Sequence, residues 1–217
     1  MKRLILIFIS LFLLDSKLLK SQDFQTFSDD FTNWSNNAGW NGTDSPGRFI
    51  NGDEVEINGN VIYDDSNYGG GPLVIDGTDA TVFGNDLRGY LIISSGSTLL
   101  IRGDLELPAG GRVVVEDGGT LIIDGNFNST GGGFFFSGGD TSNEGRVAVT
   151  GNYTQGGSGS YSGGGEVNVA GTSTESEPDG TGNPQGGQTI PADLQAIIDD
   201  PTTLPIELKK ARRNLNS

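Results

Sequence analysis

Residues 91–105 read LIISSGSTLLIRGDL, and residues 113–127 read VVVEDGGTLIIDGNF, at an offset of 22 positions along the chain. The two stretches share alternating apolar positions and two glycines in the same places. Alternation of this kind is typical of strands with one buried face, and a fixed repeat of this length is typical of solenoids. The pair therefore predicts two stacked coils of a parallel β-solenoid.

A shorter motif recurs between Phe49 and Thr174: apolar, any, apolar, any, Gly, small polar, apolar. Its copies begin at Val55, Leu99, Leu121, Val147 and Val167, with a partial copy at Leu73. The first and third positions of a strand face the same side, so stacked copies place apolar residues in interior rows. Glycine permits the bend, often with positive φ, and Asn or Asp after it suits a turn.

The motif glycines stand at positions 59, 77, 103, 125, 151 and 171, which indicates about five or six coils. We expect an all-β, single-stranded parallel β-helix, and the crossover rule for parallel strands favours a right-handed winding. An N-terminal cap and a short C-terminal helix with a tail complete the predicted architecture.

The chain divides into five predicted segments. A basic start and an apolar run predict a signal peptide over 1–22. The Asn-, Asp- and Ser-rich residues 23–48 are predicted to form a cap segment. The β-helix is predicted over 49–174, and a flexible linker over 175–190. A short helix and a basic tail are predicted over 191–217. The protein is therefore expected to be secreted or held at the outer cell surface, with no membrane insertion after signal cleavage.

The composition excludes several function classes. The chain has no cysteine and no histidine, which excludes thiol catalysis, Ser–His triads and imidazole zinc sites. Between residues 22 and 208, five arginines face 27 acids, a net charge of −22. A surface this acidic repels nucleic acid and anionic lipid, so neither is an expected partner. No cofactor is expected, although the scattered carboxylates leave weak binding of Ca²⁺ open.

Two pairs of residues are candidates for ligand or partner contact. Trp34 and Trp40 either cover the open end of the first coil or form a flat platform that stacks on a sugar ring. Leu100 and Ile122 occupy the outward position of the motif, where other copies carry Glu56, Ala148 and Asn168. This apolar pair either marks a contact patch or lies beneath a loop or the C-terminal helix.

No catalytic or metal-binding residues emerge from the pattern. Adjacent acids in a strand point to opposite faces, so they form no dyad unless they lie in a turn. Arg102 stacks above Asp124 at the 22-residue offset, and such a pair is usually structural. We therefore predict no enzyme activity, with a β-helix polysaccharide lyase or hydrolase as the alternative.

The layout resembles the secreted, glycine-rich, adhesin-like β-helix proteins of Bacteroidetes-type bacteria that are associated with type IX secretion. The likeness lies in Trp34 and Trp40, in the repeated strand–Gly–Asn/Asp coils, and in the hexapeptide Thr203–Leu208. In that family such a hexapeptide leads into a sandwich and a C-terminal sorting domain, whereas this chain continues with a basic tail. The resemblance implies an adhesion or surface-scaffold module that binds a glycan or a surface protein through loops or one solenoid face. A passive spacer fragment of a larger surface protein is a further alternative, and the oligomeric state is left open.

Overall fold

The computed structural model describes residues 23–25, 31–41, 44–76, 89–108, 110–130, 140–156, 160–175 and 184–201. In these ranges, eighteen strands follow one another in six groups of three, and each group forms one coil. The strands are β1 (Asp23–Gln25), β2 (Thr32–Asn33), β3 (Phe49–Asn51), β4 (Glu54–Ile57), β5 (Asn60–Asp64), β6 (Leu73–Asp76), β7 (Gly89–Ile93), β8 (Thr98–Arg102), β9 (Leu105–Glu106), β10 (Gly111–Val115), β11 (Thr120–Asp124), β12 (Phe127–Ser129), β13 (Asp140–Asn143), β14 (Arg146–Val149), β15 (Tyr153–Gln155), β16 (Ser160–Ser162), β17 (Glu166–Val169) and β18 (Ser173–Glu175).

The first strands of the six coils pair in parallel as sheet 1, the second strands as sheet 2 and the third strands as sheet 3. Three parallel sheets of six strands each confirm the predicted parallel β-helix. Short 3-10 helices cover Asn37–Gly39 and Asp65–Tyr68, and helix α1 covers Ala192–Asp199 after an N-cap at Pro191. The predicted signal peptide and the basic tail beyond residue 201 lie outside the described residues, as do residues 176–183 of the predicted linker.

The 22-residue offset is the strand register of coils 3 and 4. Leu91 pairs with Val113, Leu99 with Leu121 and Leu105 with Phe127, one pair in each sheet. The spacings of 26 and 20 residues between the motif glycines at 125, 151 and 171 also match the strand register, because Val147 pairs with Leu121 and with Val167.

The predicted motif copy at Val55 is out of register with the others. Val55 pairs with Leu91 in sheet 1, and it is Val61 that pairs with Leu99 in sheet 2. The stretch around Gly59 therefore turns from sheet 1 to sheet 2, whereas the other copies turn from sheet 2 to sheet 3. Both corners follow an apolar–any–apolar strand, so the local pattern does not distinguish them. The partial copy at Leu73 is also out of register with the others, because it forms β6 of sheet 3, where Leu73 pairs with Leu105.

The solenoid begins before residue 49. Strands β1 and β2 lie inside the segment 23–48 that was predicted as a cap, and they pair with β4 and β5. This segment therefore supplies two strands of the first coil. The prediction missed them because they are only three and two residues long and carry no motif glycine.

The core runs along the axis between the three sheets. In sheet 1, Val55, Leu91 and Val113 form one inward row, and each is fully buried. Burial of such a side chain contributes about 1.5–3 kcal/mol. In coils 5 and 6 the same row continues with Thr141 and Tyr161, so the interior becomes more polar toward the C-terminal end.

Candidate interaction surfaces

Trp34 and Trp40 belong to the core. They are 0% and 6% exposed, and their rings meet edge to face with centroids 5.0 Å apart. The Trp34 indole N–H donates to the carbonyl of Gly47 at 2.7 Å, and that of Trp40 donates to the carbonyl of Trp34 at 2.9 Å. Trp34 also packs edge to face against Tyr63 of the second coil. Both indoles are interior side chains, so neither presents a face to a sugar in this structure.

Leu100 and Ile122 are covered by α1. Both side chains point outward from sheet 2, and both are 0% exposed. They form a second apolar cluster, separate from the interior core. We call it the clasp cluster, and its buried members are Leu100, Ile122, Ala148, Ile190, Leu194, Ile197 and Ile198. The helix therefore occupies the predicted contact patch, so Leu100 and Ile122 are not available to a ligand while α1 is in place.

Each end of α1 meets an arginine from sheet 2. Asp193 in the first turn accepts two hydrogen bonds from the Arg146 guanidinium, at 2.5 and 3.3 Å. This contact holds the pKa of Asp193 below its ordinary value and raises the pKa of Arg146. At the other end, Arg102 donates to the carbonyl oxygen of Ile198 at 3.3 Å. A cation at a helix C-terminus is favourable because it faces the negative end of the helix dipole.

The predicted stack of Arg102 and Asp124 is present as a register pair in sheet 2. The hydrogen bonds of the two side chains go elsewhere: Arg102 reaches α1, and Asp124 accepts from the hydroxyl of Thr150 at 3.0 Å. The register pair is therefore present, but each side chain binds a different part of the fold.

The outward face of sheet 1 carries the residue types of a recognition surface. Tyr90 and Arg112 stack in one row, with the Arg112 guanidinium carbon 6.0 Å from the Tyr90 ring centroid. Ile92 and Val114 stack in the adjacent row. All four side chains are partly exposed. We call these four residues the sheet 1 patch; Glu54 and Glu56 of β4 border it.

The sheet 1 patch is not evident from the sequence pattern alone. Ile92 and Val114 each stand between two interior residues in an unbroken apolar run, so they look like core positions. The signal that was available is the run itself: three successive apolar residues in a strand must place the middle one outward.

The outward face of sheet 3 differs in character. Its row consists of small polar or charged residues in the later coils, namely Glu106, Asn128, Thr154 and Thr174. At the first coil, Phe49 is 56% exposed and the Arg48 guanidinium lies 4.0 Å from its ring centroid. Val74 pairs with Phe49 in the same row, so the sheet 3 face is apolar at its first two coils and hydrophilic from coil 3 onward.

Within the described ranges, no group of three or more acidic, His or Cys side chains is placed to hold a metal ion. No helix in those ranges is long and apolar enough to span a membrane.

No family model, curated protein or solved structure matches this chain.

Proposed function

We propose that the protein is an exported, non-enzymatic adhesion or surface-scaffold module that contacts a partner protein through the sheet 1 patch. The observation that carries this proposal is the residue content of the three faces. Tyr and Arg are enriched in protein interfaces and dominate their binding energy, and aliphatic side chains between them supply buried area. Sheet 1 combines all three types in two adjacent rows, at Tyr90, Arg112, Ile92 and Val114.

The other two faces support this choice by contrast. The sheet 2 face is occupied by α1. From coil 3 onward the sheet 3 face carries polar or charged side chains, which contribute little to binding energy, and its apolar part is limited to Phe49 and Val74 at the N-terminal end. A flat, partly apolar sheet face fits another protein surface better than it fits a single sugar chain, which needs a groove or a stacked aromatic platform.

The amino-terminal pattern of residues 1–22 and the strong acidity of the chain favour a location outside the cell. There the net negative charge limits non-specific association. In this proposal the six coils act as a rigid support, and the patch supplies the specific contact.

Binding measurements on the purified protein test the proposal. The protein is screened against extracellular matrix proteins, bacterial surface proteins and glycans, with and without Ca²⁺. For a protein that binds, Tyr90→Ala and Arg112→Ala are each expected to weaken the affinity by about tenfold, the effect of removing one interface anchor. Asn128→Ala and Thr154→Ala on sheet 3 are the matched controls and should change the affinity less than about twofold.

Three results would contradict the proposal, each in a different way. Saturable binding to glycans alone would replace the partner class with carbohydrate. Release of smaller sugars from a polysaccharide would favour the β-helix lyase or hydrolase alternative. A protein that binds nothing in the screen would be a passive spacer.

A further inference from the structure

We infer that α1 is a clasp that couples non-adjacent coils, so that the stack opens as one unit instead of fraying coil by coil. The inference concerns the conformational behaviour of the rod and is independent of the proposed function. It rests on where α1 docks, on the length of the surface beneath it, and on how its two ends are held.

The apolar surface beneath α1 spans four coils. Ile62, Leu100, Ile122 and Ala148 are in register on sheet 2, one from each of coils 2 to 5. Phe31, one residue before β2 in the first coil, also packs against the clasp cluster. The clasp cluster thus joins α1 to residues from five successive coils.

The surface is as long as the helix. Four coils separated by about 4.8 Å extend about 14 Å. The eight residues of α1 extend about 12 Å. The apolar row ends at Asn33 on one side and at Asn168 on the other. This match indicates that the row is built for α1 and not for a longer external partner.

The direction of α1 is set by its end contacts. Its first turn is held by Arg146 of coil 5, and its last turn by Arg102 of coil 3. The helix therefore runs back along the stack, from the C-terminal coils toward the N-terminal ones.

The chain that leads to α1 is fixed to the last coil. The backbone N–H groups of Gly187 and Gln188 donate to the carbonyls of Gly171 and Val169, both at 2.8 Å. Only three residues separate Gln188 from the first residue of the helix, which leaves too little chain for α1 to reach a second rod while these bonds are intact. The helix consequently ties coil 6 to coils 1–5 of its own molecule.

This connection changes how the stack responds to local opening. In a solenoid each coil normally contacts only its neighbours, so stability is a sum of local terms and the ends open first. An eight-residue helix has no stability of its own and is held by the coils it covers. Opening any coil beneath α1 loosens the helix, and loosening the helix removes contacts from the other coils. Opening of the end coils is therefore linked to opening of the middle.

Hydrogen exchange on the full chain tests the inference, with Leu194→Asp as the variant that releases the helix. Leu194 is buried in the clasp cluster. Ala196→Asp is the control, because it adds the same charge to the same helix at an exposed position. The informative amides are those of β13, β15 and β16, in sheets that α1 does not cover. In Leu194→Asp we expect them to exchange at least about tenfold faster than in the wild type, while amides of β7 and β10 in the middle of the stack change less. Ala196→Asp should leave both sets within about twofold.

If Leu194→Asp does not fold, Ile197→Ala provides the same comparison with a smaller perturbation. The inference is overturned if the helix amides lose protection in either variant while β13, β15 and β16 keep wild-type exchange rates. In that case α1 would be a local cover of sheet 2.

Discussion

At the residue scale, the corners between sheets 2 and 3 in coils 3 to 6 depend on two neighbouring positions. The first is a glycine, because a Cβ on Gly125, Gly151 or Gly171 would lie 2.2–2.5 Å from the carbonyl oxygen of the corner glycine below. Close approach of successive backbones therefore requires glycine at these three positions, and positive φ is found in this row only at Gly103.

The second position forms what we call the corner ladder: Asp104, Asn126, Asn152 and Thr172. The side-chain oxygen of Asp104 accepts from the backbone N–H of Asn126 at 2.7 Å. Asn126 accepts in the same way from Asn152 at 3.0 Å, and Asn152 from Thr172 at 2.9 Å. The Asn or Asp that follows the glycine thus bonds to the next coil as well as suiting a turn.

Gly151→Ala is predicted to destabilise the protein by about 1–3 kcal/mol, because the added methyl group must push two backbones apart. Gly156→Ala is the control, since its Cβ would meet only Thr130 at an ordinary 3.6 Å. This control should be neutral or slightly stabilising. Urea unfolding of both variants measures the difference, and equal midpoints would contradict the close-approach argument.

Asn126→Ala is predicted to cost about 0.5–1.5 kcal/mol, because it removes the side-chain acceptor of the backbone N–H of Asn152 at a position where water can partly replace it. Asn128→Ala, two residues later on the outward face of sheet 3, should have an effect below about 0.5 kcal/mol. Thermal unfolding compares the two. A similar loss in both variants would mean that the corner ladder adds no more than an ordinary surface amide.

At the scale of elements, α1 shows how an apolar surface directs a short helix. It lies at the start of the predicted segment 191–217, because Pro191 suits the helix start and Leu194, Ile197 and Ile198 share its buried side. The sequence did not decide whether this helix, a loop or a partner lies on Leu100 and Ile122. The outward Leu100 and Ile122 indicated that something apolar covers them, but the occupant follows only from the contacts of the clasp cluster.

Asp193→Asn is predicted to lower stability at neutral pH by no more than about 1 kcal/mol, because the pair with Arg146 is partly exposed and screened by solvent. The pKa of Asp193 is lowered in the folded chain, so its contribution is present above the ordinary pKa of about 3.9 and is lost as the pH falls through the lowered value. Thermal unfolding of wild type and variant should therefore differ at pH 7 and converge in acid. A difference in thermal stability that persists in acid would show that the pair of Asp193 and Arg146 does not cause it.

At the scale of the whole molecule, burial of tyrosines predicts a loss of stability in alkali. Burial raises the pKa of Tyr63 to about 12, and it also raises the pKa of Tyr68 and Tyr161. The unfolded chain begins to ionise near pH 10, while the folded chain keeps these hydroxyls protonated. The contribution of these tyrosines to stability should therefore be constant below about pH 10 and decrease above it.

Urea unfolding at a series of alkaline pH values measures this decrease. Tyr63→Phe is the comparison: it loses the hydrogen bond from the hydroxyl to the carbonyl of Gly71, so it is less stable at neutral pH, but its stability should fall less steeply in alkali. If the free energy of unfolding falls equally steeply with pH in wild type and variant, Tyr63 is excluded as a cause of the loss of stability in alkali.

The sequence predicts the repetitive part of this molecule well, since the 22-residue offset between Leu99 and Leu121 is the register itself. It fails where the repeat is interrupted. Val61 and Leu99 are neighbours in space but 38 residues apart, so the second coil was aligned through Gly59 at the wrong corner.

The candidate site illustrates a second limit of sequence reasoning. Burial of Trp34 and Trp40 depends on strands too short to have a pattern. The sheet 1 patch is hidden because Ile92 and Val114 have the same residue types as the core on either side of them. Which apolar residues face outward becomes evident only when the strand register is known.

The corner ladder has a direction, and that direction matters for how the chain acquires its structure. Every acceptor lies in an earlier coil than the N–H group it binds, and the series starts at Asp104, which needs only to accept. A chain that emerges from the ribosome, or through a membrane pore, with its N-terminus first completes each acceptor before the matching donor appears. Each finished coil is then a template that fixes the register of the next one. The fold can grow in the order of its synthesis, without waiting for the C-terminal helix that finally closes it.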